Sequence, residues 1–268
     1  MVRRSIIPAI KDTIYNPIIL IPLLAQIILV AITALVLFIL LTLLQQYVFV
    51  GPTSLEGFIQ SLFTQPLALL VSSILFLVSL VAVLFIVAFF DAGYFTLVQE
   101  GIVKKARLCH LVHGAKKHFA SFAAFLFLKY LTITVYVFVM LVLWLLIPLL
   151  SIIWVLLIGI GILFFTLAFL FAPMHIVKYN LSGMKAYTRA LSFFLNNKLF
   201  VLIASIIAFL VVIVLSLVLF FVQLITEPIR YLSGLIDLLV FVINLFLALF
   251  ISFFLFRIFL EKEKKATK

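Results

Sequence analysis

From Leu199 to Ile225 the chain reads LFVLIASIIAFLVVIVLSLVLFFVQLI, 27 residues without a charge. A helix crosses the ~30 Å hydrocarbon core of a bilayer with ~20 apolar residues, so this run predicts a transmembrane helix. Five further stretches meet the same test: Pro17 to Leu44, Leu67 to Phe90 with a helical continuation to Glu100, Phe122 to Ile147, Ile152 to Ala172, and Leu235 to Leu260. Helices are expected rather than a barrel, because the runs are continuous whereas barrel strands alternate apolar and polar residues over ~10 positions. Val, Ile and Phe are abundant, but in lipid the need to satisfy every backbone polar group internally outweighs their strand preference.

The composition of the whole chain agrees with these runs. Of 268 residues, 68% are hydrophobic and 10% charged, against ~45–50% and ~25% in soluble domains. That balance excludes a cytosolic enzyme, a secreted disulfide scaffold, a disordered tail and a nucleic-acid binder. It predicts an all-α membrane protein of six transmembrane helices, with residues 1–268 forming a single multi-pass domain. Cys109 is the only cysteine, so no internal disulfide is expected. The apolar run near the start is too long for the core of a signal peptide, and Asp12 and Asn16 separate it from Arg3 and Arg4.

The net charge of +11 is sorted by side. Arg3, Arg4 and Lys11 precede the first span. Lys104, Lys105, Arg107, Lys116 and Lys117 lie between the second and third, and Lys178, Lys185, Arg189 and Lys198 between the fourth and fifth. Arg257, Lys262, Lys264, Lys265 and Lys268 close the chain. These are 17 of the 19 basic residues. Arg230 lies on the opposite side and Lys129 within a span. Basic residues in short loops set orientation, so a cell-membrane protein with both termini in the cytoplasm is expected. Trp144 and Trp154 flank the uncharged stretch Ile147 to Ser151, which reads as a tight outer hairpin or as a helix broken around Pro148.

Three approaches to odd-numbered spans look alike: Pro8 to Pro17, Gly114 to Ala124, and Lys185 to Lys198. Each is a short basic amphipathic segment leading into an apolar run, which predicts interfacial helices and three repeated hairpins. In the third, Met184, Tyr187, Leu191 and Phe194 share one face, opposite Lys185 and Arg189. Such a helix rests in the interface with its cations at anionic headgroups. The candidate anionic-lipid contacts are Lys104, Lys105, Arg107, Lys116, Lys117, Lys185 and Arg189. Residues Thr53 to Thr64 carry a further short amphipathic pattern on the outer side.

Ionisable groups inside spans cost about 2.5–3.5 kcal/mol at a helix centre even on a lenient scale. Lys129 lies roughly 10–15 Å into the third span at 1.5 Å per residue. Asp91 is at similar depth on the second helix, and Gln26 on the first. Two readings follow. Asp91 and Lys129 form an ion pair with Gln26 in the same layer, and Gly93 admits a neighbouring helix. Alternatively, Lys129 snorkels to the headgroups and Asp91 marks the end of its span. Glu227, Arg230 and Asp237 read as a solvated rim at the other end.

Cys109, His110, His113 and His118 include pairs at helix-face spacing, but a structural zinc site needs four placed ligands and five basic residues surround them. No metal or cofactor is expected. The chain has no His-Glu-x-x-His, no Gly-x-Ser-x-Gly and no P-loop, so no enzyme activity is expected.

A resemblance rests on Ala9 to Pro22, where a helix runs into Asn16-Pro17 and a span. It rests also on Ala92-Gly93 to Phe122, the linker, and on Phe171-Ala172-Pro173 to Phe200, a span end, a helix and a lysine-tipped re-entry. On these the chain resembles a broad group of six-helix membrane proteins of bacteria and archaea, which includes the membrane domain fused to some glycerophosphodiester phosphodiesterases. The resemblance implies the topology over most of the chain. No phosphodiesterase segment accompanies it here, so that activity is not implied. The functional expectation is a protein that organises lipids or partner subunits through its basic inner face. The alternative is a small-solute or ion transporter or channel with the Gln26–Asp91–Lys129 layer as its polar site. A water-filled cavity reaching that layer separates the two.

Overall fold

The computed structural model describes residues 2–48, 66–147, 151–226 and 230–266. The described residues form nine α-helices, a short 3-10 turn and no strand. They are α1 (Val2–Tyr15), the turn Pro17–Ile19, α2 (Leu20–Val48), α3 (Pro66–Val103), α4 (Leu108–Leu146), α5 (Ser151–Ala168), α6 (Ala172–Tyr179), α7 (Gly183–Asn196), α8 (Lys198–Thr226) and α9 (Arg230–Ala266). Six stretches are long and apolar enough to cross a bilayer: Pro17–Leu40, Ser73–Val103, Leu108–Leu146, Ser151–Tyr179, Lys198–Gln223 and Ile236–Lys264. The protein is thus an all-α, six-span multi-pass membrane protein. The amphipathic pattern at Thr53 to Thr64 lies outside the described residues.

The linker between the second and third spans is shorter than expected. The helix does continue past Asp91 and Glu100 to Val103, but α4 begins already at Leu108. The third span and its basic approach are therefore one helix. Nothing between Leu108 and Phe122 breaks it: Gly114 is tolerated because the residues around it are ordinary helix formers. The other two approaches do break, at Asn16-Pro17 and at Asn197. The three hairpins share a charge pattern without sharing a backbone course.

The packed core sits at the basic ends of the helices. Phe122, Phe171, Phe253, Phe254, Phe256 and Phe259 are fully buried there, interleaved with Ala88, Ala92, Ala168, Ala172, Ala186 and Ala204. α9 packs against α1, α8, α3 and α2, while α3 is held between α2 and α4. The opposite halves are Leu, Ile and Val with exposed side chains, such as Leu145 at 82% and Ile152 at 78%. Between apolar helices in lipid there is no hydrophobic driving force, and close backbone approach decides where helices pack. The small residues are at the basic end, so the packing is there too.

Three glycines mark close approaches at the basic end, and a Cβ at Gly161 of α5 would meet the Tyr136 ring at 2.1 Å. A Cβ at Gly93 would stand 2.9 Å from the Leu111 carbonyl oxygen, so the close neighbour expected there is the first turn of α4. A Cβ at Gly114 would meet the Thr96 side chain at 2.3 Å, and one at Gly183 the Ser121 carbonyl oxygen at 2.5 Å. The buried face of α7 is accordingly Gly183, Ala186, Ala190 and Phe194. Of the apolar face Met184, Tyr187, Leu191 and Phe194, Phe194 is buried and Met184 is 60% exposed. Docking on α4 selects the smallest side chains, not the most apolar ones.

α1 packs on α9. Its polar side faces protein: Ser5, Thr13 and Asn16 are buried, while Ile7, Ile10 and Ile14 are exposed. Ser5 Oγ donates to Glu261 Oε1 at 2.9 Å, and Arg257 holds Asp12 through Nε and Nη2, the latter at 2.9 Å from Oδ1. Asn16 joins three segments. Its Nδ2 donates to the Asp12 and Gly101 carbonyls at 3.0 and 3.4 Å, and its Oδ1 accepts from the Ala106 N–H at 2.9 Å. In an acyl environment a helix gains by turning its hydrogen-bonding groups inward.

At the uncharged ends, Trp144 Nε1 donates to Ser151 Oγ at 3.1 Å and Trp154 Nε1 to the Ile147 carbonyl at 3.0 Å. Tyr136 Oη donates to the Leu157 carbonyl at 2.6 Å. α4 and α5 pack against each other here, and Pro148, where a break was the alternative, lies outside the described residues. Of the expected polar rim, Glu227 lies outside the described residues, and Asp237 Oδ1 accepts from Gln223 Nε2 at 2.9 Å.

Candidate functional site

The intramembrane layer comes together from three helices. α2 presents Gln26, α3 Asp91 and α4 Lys129. Gln26 and Lys129 both lie near enough to act on the Asp91 carboxyl. Among the described residues no ion pair joins Asp91 and Lys129. Lys129 Nζ lies instead 5.7 Å from the centroid of the Tyr130 ring. Beside Asp91 stands the buried Tyr94, whose hydroxyl makes no hydrogen bond. Ser252 of α9 faces it, but its own hydroxyl donates to the Ala248 carbonyl at 3.0 Å.

A polar cleft of about 370 Å³ opens on the basic side. Asp12, Tyr15 and Asn16 form one wall, and Gly101 to Lys105 the other. Gln26, Asp91 and Lys129 are not in its lining.

The proposed lipid contacts are all at the surface. Lys104, Lys105 and Arg107 are exposed in the turn between α3 and α4, Lys116 and Lys117 on α4, and Lys185 and Arg189 on α7. Cys109 and His113 are exposed while His118 is buried, and among the described residues no three His, Cys, Asp or Glu groups gather as metal ligands.

One of these cations belongs to a built cluster. The chain bends at Phe169–Phe171, and Pro173 falls in the first turn of α6, where its missing N–H costs nothing. Asn180, at φ 51°, ends α6 in the left-handed region that asparagine tolerates. The chain then reverses into α7, which brings Arg189 back over α6. The Arg189 guanidinium lies 4.2 Å from the centroid of the Tyr179 ring, and Lys178 Nζ lies 4.7 Å from the same ring. The Tyr179 hydroxyl donates to Glu263 of α9, which also pairs with Lys178 at 3.9 Å. Lys262 Nζ sits 5.2 Å from the Phe200 ring.

Beneath the cluster His175 is fully buried, its ring 4.7 Å from Phe259 and 5.5 Å from Phe193. Neither of its nitrogens has a hydrogen-bond partner. The sequence reading missed His175, Tyr179 and Glu263. The one signal available was polar residues directly after the fourth apolar run, at His175, Lys178 and Tyr179; the contribution of Glu263, from the other end of the chain, had none.

The chain matches no protein-family model, no curated protein and no solved structure.

Proposed function

We propose that this multi-pass protein has no catalytic activity and organises anionic lipids, or partner subunits, on a basic face that lies in the cytoplasm with both chain ends. The observation that carries this reading is the pair of cations over Tyr179. Lys178 and Arg189 share one ring, and one carboxylate, Glu263, stands against them. Like charges held together are unfavourable, and a phosphate relieves that cost. Arginine binds phosphate oxygens in bidentate fashion, and its stacking on tyrosine fixes the plane of the fork. The exposed Lys185 on the same helix and Lys264 on α9 add to the field. A six-span protein with this topology is also what the resemblance implies.

The test is the lipid retained when the protein is extracted in polymer-bounded discs from a membrane containing phosphatidylglycerol and phosphatidylethanolamine. Juxtamembrane cations attract anionic lipid by about 1 kcal/mol each. Lys178→Gln with Arg189→Gln is expected to reduce the anionic enrichment about tenfold or more. Unchanged enrichment overturns the reading. Orientation has its own measurement. The exposed Cys109 is expected to escape a membrane-impermeant maleimide in intact cells and to react after lysis; labelling before lysis reverses the topology.

The transporter reading finds less support. The polar cleft on the basic side has no member of the layer in its walls.

A further inference from the structure

A cavity of about 470 Å³ lies between α1 and the pair α8–α9. Ile6, Ile10 and Ile14 of α1 form one side, and Leu215 of α8 with Phe246 and Phe250 of α9 form much of the other. Thr13 carries the one side-chain hydroxyl in the lining, and it is spent on the Ala9 carbonyl at 2.8 Å. Water needs two to four polar partners to settle in a cavity, and the side chains of this lining offer only the lone pairs of that one hydroxyl. The volume is within the ~300–1,000 Å³ of ligand pockets. The occupant that fits is hydrocarbon.

Its source follows from α1. Ile10 and Ile14, which line the cavity, are also 44% and 65% exposed, so the cavity opens sideways. It opens beside a helix that buries serine, threonine and asparagine and exposes isoleucine, which places that opening in the acyl layer. Lys11 is exposed and lies four residues after Ile7 and three before Ile14, on the same outward face. Its stem can follow the isoleucines and carry the ammonium to phosphate depth.

We propose that this cavity seats one acyl chain of a glycerophospholipid whose phosphate is met by Lys11. The site is separate from the Tyr179 cluster and does not depend on the function proposed for it. The helix pair α8–α9 and the amphipathic α1 form the walls, so the bound chain mends the gap left where α1 leans on Asp12–Arg257 and Ser5–Glu261 instead of on isoleucine contacts.

The experiment counts phospholipids retained by the full chain through repeated detergent washing, using native mass spectrometry. Wild type is expected to keep one glycerophospholipid, and Ile10→Phe with Leu215→Phe, which fills the cavity, to keep none at unchanged elution volume. Lys11→Gln, outside the cavity, is expected to weaken retention of an anionic phospholipid about fivefold and of a zwitterionic one less; it also serves if the filled variant fails to fold. Wild type without retained phospholipid overturns the proposal, as does equal retention in the filled variant, or unchanged retention of the anionic phospholipid after Lys11→Gln. A wild-type dimer that the filled variant disrupts assigns the cavity to a second copy and likewise overturns it.

Discussion

Asn16→Leu is expected to lower the thermal unfolding midpoint in detergent by about 5–10 °C. The side chain is buried and ties α1, the end of α3 and the turn before α4 together through three hydrogen bonds. Leucine is nearly the same size but leaves the Ala106 N–H and the Gly101 carbonyl without that partner. A buried group left unpaired costs about 1–3 kcal/mol, and each kcal/mol moves the midpoint by about 2–4 °C in a chain near this size. Asn16→Asp keeps the acceptor for Ala106 and loses the two donated bonds, so it is expected to fall between wild type and leucine. The measurement is a circular-dichroism melt of the three proteins side by side. A leucine variant that melts with the wild type would show that the joint is held by packing alone.

Gly183→Val is expected to undock α7. A Cβ there meets the Ser121 carbonyl oxygen at 2.5 Å and the Phe125 backbone nitrogen at 2.6 Å. Backbone atoms of a packed helix cannot step aside as a side-chain tip can, so α7 must move away from α4. Overpacking of this kind costs about 1–3 kcal/mol and sometimes more. The consequence reaches the cation cluster, because Arg189 stands over Tyr179 only while α7 is docked. Both the unfolding midpoint and the anionic-lipid enrichment are therefore expected to fall. Gly159→Ala is the internal control: a Cβ at that position meets nothing within 4 Å, and alanine favours the helix by about 0.5–1 kcal/mol. If the two glycine variants behave alike, helix propensity and not close approach governs position 183.

The candidate sites were legible to different degrees. Counting residues from the ends of the apolar runs put Gln26, Asp91 and Lys129 in one layer, because rise per residue in a helix is constant. Whether Lys129 touches Asp91 was not countable: a lysine ammonium sweeps several ångströms around its Cα. Lys185 and Arg189 were visible as the charged face of one amphipathic helix. Their value as a site depends on Tyr179, reached by the chain reversal at Asn180, and on Glu263 from α9. No spacing rule links residue 179 to residue 263.

For α1 the pattern of apolar and polar positions was plain, yet its meaning depended on the surroundings. Packed against α9, the helix hides Ser5, Thr13 and Asn16 and leaves Ile7, Ile10 and Ile14 exposed. By itself the sequence determined the all-helical class, the six spans and the side on which the basic residues gather, since bilayer thickness and backbone hydrogen bonding act on each run separately. Only the tertiary structure decided which helix faces are inward, which cations share a partner and where space is left between helices. Those depend on how closely backbones approach, and glycines and alanines on different helices set that distance together.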